Sequence, residues 1–349
     1  MSKLTKLALL FFGILIIGGI VVSSVSQKIN LPISQPVVTN PRTPNASGTP
    51  SDLPVLAEQM PEFFGISKWW NTPDGQPLTP ASLKGKVVLI DFWTYSCINC
   101  IRTFPYLKSL QAKYADKGLV IVGVHTPEFA FEAKPENVER EIQKNGFTYP
   151  VALDPDYGTW NAYHNQYWPA EYFFDRQGRL RHTHFGEGEY DANEQIIRDL
   201  LAETPGVDLG AAGNLGSTPD FSKIKTPETY FGLSRGDAYM GKLTSAEAVE
   251  PNKWGTDGTW AFGQEFAEAD SAGAVFRFNV QASKLHIVMD SADGKDKTVE
   301  VYVDGMKTKE LIINTSTLYT VAEFPDAGRH TVEIRMREQG VRFYAATFS

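Results

Sequence analysis

Hydrophobic and polar positions fall into four regimes along the chain. Leu7 to Ser26 holds 20 residues without a charge, and Leu7 to Val22 within it is unbroken apolar or Gly. At about 1.5 Å per helical residue that run covers a hydrocarbon core of about 30 Å, so the pattern predicts an N-terminal single transmembrane helix over residues 1–26. Lys3 and Lys6 precede it and no basic residue follows until Lys28, which places the remainder outside the cytoplasmic membrane. A cleaved signal peptide is the competing reading, because Val22-Ser23-Ser24 and Ser24-Val25-Ser26 are tolerable small-residue sites. Either reading exports the body, membrane-tethered in the first case and secreted in the second. From residue 27 to 54 the period vanishes among Pro32, Pro36, Pro41, Pro44, Pro50 and Pro54, the pattern of an extended tether.

Residues 55–203 alternate between two periods. Lys86 to Trp93 and Gly118 to His125 are continuous apolar, β-branched runs that predict buried parallel strands. Between them Ile101, Phe104, Leu107, Leu110 and Tyr114 recur at helical spacing. Pro135 to Asn145 predicts a second helix and Asp154 to Gln166 a short helix with loop. Glu171 to Asp175 and Leu180 to Phe185 flank a hairpin turn, and Asp191 to Ala202 predicts a closing helix capped by Asp191 with Glu194. The order βαβα, hairpin, α reads as an α/β domain with a mixed sheet covered by helices.

Residues 204–227 are rich in Gly, Ala, Ser, Thr and Pro and read as a linker between separately folded units. In residues 228–349 helical period disappears. Gly273–Val280, Lys284–Met289, Thr298–Val303, Glu310–Asn314, Leu318–Phe324, His330–Arg335 and Val341–Phe348 are short strands between turns, which predicts an all-β sandwich of jelly-roll type. Trp254 and Trp260 are its candidate glycan or partner contacts, with core packing as the ordinary fate of such aromatics.

Composition changes little in this picture. With 42% hydrophobic and 21% charged residues the chain is neither collagenous nor mostly disordered. Its formal charge of -8 argues against nucleic acid as partner. The cysteine count matters more, because Cys97 and Cys100 are the only two. That excludes a disulfide-dense scaffold and a four-cysteine zinc site.

The pair sits where the first strand meets the first helix. A cysteine at a helix N-terminus faces free backbone N–H groups and the positive end of the dipole, which favour the thiolate. Cys100, one turn later, is close enough to displace a mixed disulfide on Cys97, and C-x-x-C closes with little backbone movement. Asp91, at the end of a buried strand, would tend to hold a proton and could accept that of Cys100; a strand-end cap or ion pair is its alternative. Trp93 reads as a packed wall of the site, and Tyr95 and Ser96 as surface around the thiol that a substrate would contact. Other readings of the pair stay open. Half a zinc site lacks further ligands nearby, and a structural disulfide would close too small a loop to stabilise much. His182 and His184 share one strand face, so a copper site with the cysteines is conceivable, as is an ordinary wet hairpin edge.

The stretch Val87 to Tyr106 (VVLIDFWTYSCINCIRTFPY) resembles the thioredoxin-like superfamily, in particular its extracytoplasmic TlpA and ResA type redoxins. From about Met60 onward the chain is similar to the soluble C-terminal region of DipZ thiol:disulfide interchange proteins, whose last module resembles carbohydrate-binding modules. The resemblance implies Cys97 as nucleophile, Cys100 as resolving thiol, Asp91 as buried acid and Pro105 as a helix-kinking proline. It also implies a cis peptide at Trp168-Pro169 facing the cysteines, with Trp168 in contact with substrate, and Glu128 as an active-site glutamate. Ile98-Asn99 departs from the Gly-Pro of thioredoxin itself, which leaves the potential open. Thr94 fits the threonine spacing of peroxiredoxins, but Ile90 stands where their proline is expected and a second cysteine favours exchange over peroxide reduction.

The expected function is thiol–disulfide exchange outside the membrane by a Cys97/Cys100 cycle, without a cofactor. Its partners are disulfide-bearing extracytoplasmic proteins and, as the resemblance implies where one apolar segment stands in place of the multispanning electron-delivering domain of DipZ proteins, a separate membrane electron donor. A surface-anchored glycan- or protein-binding protein on a thioredoxin-like scaffold is the alternative.

Overall fold

Seven consecutive buried residues, Val87–Trp93, make the central strand of the first half, and their alternation sorts two cores. Val87, Leu89 and Trp93 face one apolar cluster; Val88, Ile90 and Phe92 face another. The sheet is built from β1 (Lys68–Trp70), β2 (Val87–Trp93), β3 (Leu119–His125), β4 (Val151–Leu153), β5 (Ala170–Phe174) and β6 (Leu180–Phe185), in spatial order β1-β4-β3-β2-β5-β6. β2, β3 and β4 run parallel, whereas β5 lies antiparallel to β2. The first face packs on α1 (Ile98–Tyr114), α2 (Pro135–Asn145) and α4 (Tyr190–Ala202), the second on α3 (Gly158–Ala162). Asp91 stands at an odd position and so belongs to the α1 face. Gly123, its neighbour in β3, has no room for a side chain: a Cβ there would lie 3.0 Å from Trp93 Nε1 and 3.2 Å from Tyr149.

This computed structural model describes residues 53–213, 215, 220–244, 247–326 and 328–349. The expected membrane segment and nearly all of the tether lie outside them, and among the described residues no helix is long and apolar enough to cross a membrane. α1 starts at Ile98, three residues before the first apolar position of its helical pattern, with Cys97 at its N-cap and Cys100 in its first turn, as the sequence places them. One expectation needs correction. Asp191 does not cap α4: the N-cap is Glu189, and Glu194 instead accepts from Lys113 and Tyr114 of α1.

The second half is a two-sheet sandwich. Its strands are β7 (Thr229–Tyr230), β8 (Tyr239–Lys242), β9 (Trp254–Asp257), β10 (Trp260–Phe262), β11 (Ala267–Ala269), β12 (Val275–Gln281), β13 (Lys284–Ser291), β14 (Lys297–Val303), β15 (Met306–Ile313), β16 (Thr317–Glu323), β17 (Arg329–Met336) and β18 (Val341–Phe348). One sheet runs β10-β11-β18-β13-β16 with β7 beside β18; the other runs β15-β14-β17-β12-β9-β8. All pairings are antiparallel except β8 with β9. Inward side chains such as Phe276, Phe278, Ile287, Met289, Ile334 and Phe343 fill the space between the sheets.

Trp254 belongs to that core. It is 1% exposed, its ring stacks 5.6 Å from Phe276, and its Nε1 donates to Asp237 O at 2.7 Å. Trp260 is half-buried against Phe343 and donates to Asp257 O. The exposed tryptophan platform conceived from sequence is therefore absent, because β9 turns Trp254 inward.

Nor are the halves independent. A β-bulge between Val288 and Met289 leaves Tyr344 of β18 as the extra residue, aimed away from the sandwich core. Its ring meets Phe129 at 5.3 Å and Phe131 at 4.8 Å, and Val288, Tyr344 and Ala345 join the core cluster of the first half. Loss of a fully buried aromatic ring leaves a cavity that the sheets cannot refill. Trp254→Ala should lower unfolding free energy by about 3–5 kcal/mol in denaturant titrations. A change below about 1 kcal/mol would mean that the ring is not part of the core.

Candidate functional site

The end of β2 and the start of α1 bring the two thiols together. Cys97 is extended (φ -77°, ψ 114°), as an N-cap must be, and its Sγ accepts from the backbone N–H of Cys100 at 3.4 Å. Both cysteines are free thiols. Cys97 is partly exposed; Cys100 is fully buried one turn behind it. Burial, the adjoining Cys97 sulfur and the carboxyl of Asp91 all push the Cys100 thiol up, so it attacks only if something takes its proton.

Asp91 is the group placed to do so. It is 1% exposed, on the α1 face of β2, and neither carboxyl oxygen has a hydrogen-bond partner among the described residues. Burial alone raises it from 3.8 to about 7. Directly across the antiparallel register stands Glu171 of β5, also buried, its Oε2 accepting from Asn193 of α4 at 3.1 Å. Burial and the facing Asp91 push Glu171 well above the usual carboxylate range, so this second acid stays neutral beside the first.

A cis peptide at Trp168-Pro169 faces the nucleophile, with the Trp168 carbonyl 4.0 Å from Cys97 Sγ. The Trp168 indole donates to Thr126 O at 3.1 Å and packs 4.2 Å from Trp160, which pins the loop. Trp93 is the expected packed wall, edge-on to Phe104, His125 and Phe147.

Tyr95 and Ser96 are not surface residues. Tyr95 is 1% exposed and stacks on His125 at 5.5 Å. Ser96 is buried because Glu132 takes both its Oγ–H (2.6 Å) and its backbone N–H (3.3 Å). The other Glu132 oxygen accepts the N–H groups of Glu128 (2.6 Å) and Phe129 (3.0 Å), tying the loop after β3 to the residue before Cys97. Burial first, then the charge of Glu128, raises Glu132 to about 7. His125, pressed down to about 3 by burial, is a neutral core ring 3.4 Å from Thr94 Oγ1.

Glu128 looks elsewhere. Its Oε1 accepts from Tyr230 at 2.8 Å and pairs with Arg235 at 2.9 Å, both from the sandwich half. His182 packs on Phe173, and among the described residues no three His, Cys, Asp or Glu groups are placed to hold a metal. Pro105 lies inside α1 on its exposed side.

Sequence reasoning missed Glu171, Glu132 and Arg102. Glu171 was in reach, since it is the one polar residue in the buried apolar strand Ala170–Phe174. Glu132 and Arg102 had no signal, because the partners that place them, Ser96 for Glu132 and Glu187 and Ser349 for Arg102, lie 36, 85 and 247 residues away. Taken together, the site holds a half-exposed sulfur at a helix N-terminus, a second thiol within closing distance and a buried acid beneath. That set suits a dithiol–disulfide couple.

Residues 57–201 match the family described as Redoxin, and residues 226–349 the family described as Thioredoxin like C-terminal domain. Protein DipZ of Mycobacterium tuberculosis (strain CDC 1551 / Oshkosh) is 38% identical over 300 residues, which is 82% of this chain and 42% of that protein. This chain thus spans less than half the length of that relative. Thiol-disulfide oxidoreductase YkuV of Bacillus subtilis (strain 168) is 32% identical over 149 residues, 43% of this chain and 98% of YkuV. A solved thioredoxin-like protein in the oxidized form aligns at 33% identity over 43% of this chain and 98% of its own, with a TM-score of 0.39.

The unpartnered Asp91 has a cost that depends on pH. Below pH 3.8 folded and unfolded chains both hold its proton; from there to about 7 only the folded chain does, so its contribution to stability falls as pH rises. Above about 7 the loss is complete, at about 1.4 kcal/mol per unit or roughly 4 kcal/mol in all. Asp91→Asn should abolish that decline, with the variant gaining on the parent between pH 4 and 8 in urea melts. Parallel stability–pH curves for the two proteins would show that Asp91 is not buried unpaired.

Proposed function

This chain belongs to the redoxin family of thioredoxin-like proteins, and on that footing we propose that it is an extracytoplasmic thiol–disulfide oxidoreductase that reduces the disulfides of partner proteins. The observation that carries the reading is Cys97 Sγ, partly exposed at the N-cap of α1 and facing the cis Trp168-Pro169 carbonyl, with buried Cys100 donating its backbone N–H to it.

In the proposed cycle the Cys97 thiolate attacks one sulfur of a partner disulfide. The partner S–S bond breaks, a mixed disulfide forms, and the leaving thiolate is protonated. Cys100 then passes its proton to Asp91 and attacks Cys97 Sγ, which closes the Cys97–Cys100 disulfide and releases the second partner thiol. Two electrons have moved to the partner. They must be restored by a membrane electron donor acting as a separate protein, and oxidation of substrates would use the same atoms in reverse.

Trp168 and Pro169 would line the passing substrate chain, with Trp93, Tyr95 and Ser96 as rigid support beneath it rather than contact surface. Glu128, held by Tyr230 and Arg235, has no step in this cycle. The uncharged Leu7 to Ser26 segment supports an exported enzyme tethered by its N-terminus, and the likeness to thiol-disulfide oxidoreductase YkuV supports the exchange chemistry. The relation to DipZ extends that reading across both halves.

Cys97→Ser should abolish exchange with a protein disulfide. Cys100→Ala should accumulate a mixed disulfide that non-reducing gels and mass spectrometry identify, together with the partner it holds. Turnover of both variants at the parental rate would remove the assigned roles.

A further inference from the structure

The segment Ser96 to Cys100 is held at both ends by side chains that lead into the sandwich. On its N-terminal side Glu132 grips Ser96 and, through the N–H groups of Glu128 and Phe129, the loop that packs on Tyr344. The same loop is latched by Glu128 to Arg235 and by the Ala130 N–H to Glu265.

On its C-terminal side the tether is Arg102, one helical turn after Asn99. Nη2 donates to Asn99 Oδ1 at 2.6 Å, between the two cysteines. Nε and Nη2 form a two-pronged pair with Glu187 at 2.7 and 2.5 Å. Nη1 donates to the Phe348 carbonyl at 3.4 Å and to Ser349 Oγ at 3.0 Å, 247 residues along the chain. Ser349 Oγ in turn lies 2.8 Å from His286 Nε2 on β13.

A guanidinium is a rigid planar fork, so its directions cannot be adjusted one at a time. Movement of the end of β18 must turn the plane and take the donor from Asn99. The pair is also poorly hydrated, with Arg102 19% and Glu187 3% exposed, so its geometry is not relaxed by water.

We propose that Arg102 is a positioning residue through which the β-sandwich sets the thiol–disulfide equilibrium of Cys97 and Cys100. The dithiol form depends on the first turn of α1 presenting its N–H groups to Cys97 Sγ. Asn99 belongs to that turn, and Arg102 holds Asn99 against the docked end of β18. Releasing the tether costs the dithiol form more than the disulfide, whose ring closes the turn covalently. The inference rests on the proposed function only in treating Cys97 and Cys100 as a redox pair.

The test uses the full chain equilibrated in glutathione buffers, with the disulfide fraction read by acid quenching, thiol alkylation and mass. Asn99→Ala, Arg102→Lys and Arg102→Met should each move the equilibrium toward the disulfide by about threefold or more, and Ser349→Ala in the same sense by less. Asn99→Ala combined with Arg102→Met should shift it no further than the larger single change. Arg102→Lys keeps the charge but not the fork, so its failure to rescue separates geometry from charge. Since Arg102→Met leaves Glu187 unpaired and could unfold the chain, Asn99→Ala and Ser349→Ala decide the matter in folded protein. Equilibria within error of the parent for both would overturn the proposal, even if melting temperatures fell. A parent that forms no Cys97–Cys100 disulfide at any poise would instead sink the proposed function.

Discussion

A carboxylic acid shut into a strand without a partner is the constraint on which the redox half turns. Charged, Asp91 would be unsolvated; neutral, it leaves both oxygens unbonded among the described residues. Stability alone favours an apolar residue there. The position makes sense as chemistry, since a group brought to about 7 by burial is a base at neutral pH and sits on the same face of the sheet as Cys100. The surroundings enforce this. Glu171 faces Asp91 without neutralising it, Gly123 leaves space only for Trp93 and Tyr149, and Cys100 can lose its proton only to something already inside.

The second constraint is that the two halves share a core. The bulge in β18 turns Tyr344 out of the sandwich and into the aromatic pair Phe129 and Phe131, and edge contacts of this kind contribute about 0.5–1.5 kcal/mol each beyond the area they bury. Phe129 gives its N–H to Glu132, Phe131 precedes Glu132 in the chain, and Glu132 holds Ser96. The sandwich is thus a wall of the redox unit. Without it, the Phe129 and Phe131 rings of the loop after β3 would lose the cover that Tyr344 gives them.

Much of this was legible in the sequence where the signal is local. The strand Val87–Trp93, the helix Pro135–Asn145 and the strands Leu180–Phe185 and Val341–Phe348 follow from apolar period and turn residues. Cys97 and Cys100 stood out by being the only cysteines at a strand-to-helix junction. What escaped depends on contacts across the fold. The short strands Lys68–Trp70 and Val151–Leu153 pair with each other, and the second of them with β3, which three-residue runs cannot announce. Ser96 read as surface because its cover, Glu132, lies 36 residues away. Trp254 suggested a sugar platform because composition does not say which way a strand faces. Glu128 matched a family position, yet its partners Tyr230 and Arg235 belong to the other half.

The claim that Asp91 receives the Cys100 proton is tested most directly by the rate of resolution. A mixed disulfide between Cys97 and a chromogenic thiol can be formed in acid and jumped to a series of pH values, with release followed by stopped flow. In the parent the rate should rise through about pH 7 as Asp91 ionises. In Asp91→Asn that rise should vanish and the rate near pH 8 should drop by roughly 10²-fold, the low end for a positioned general base. Identical pH–rate profiles for the two proteins would contradict the account.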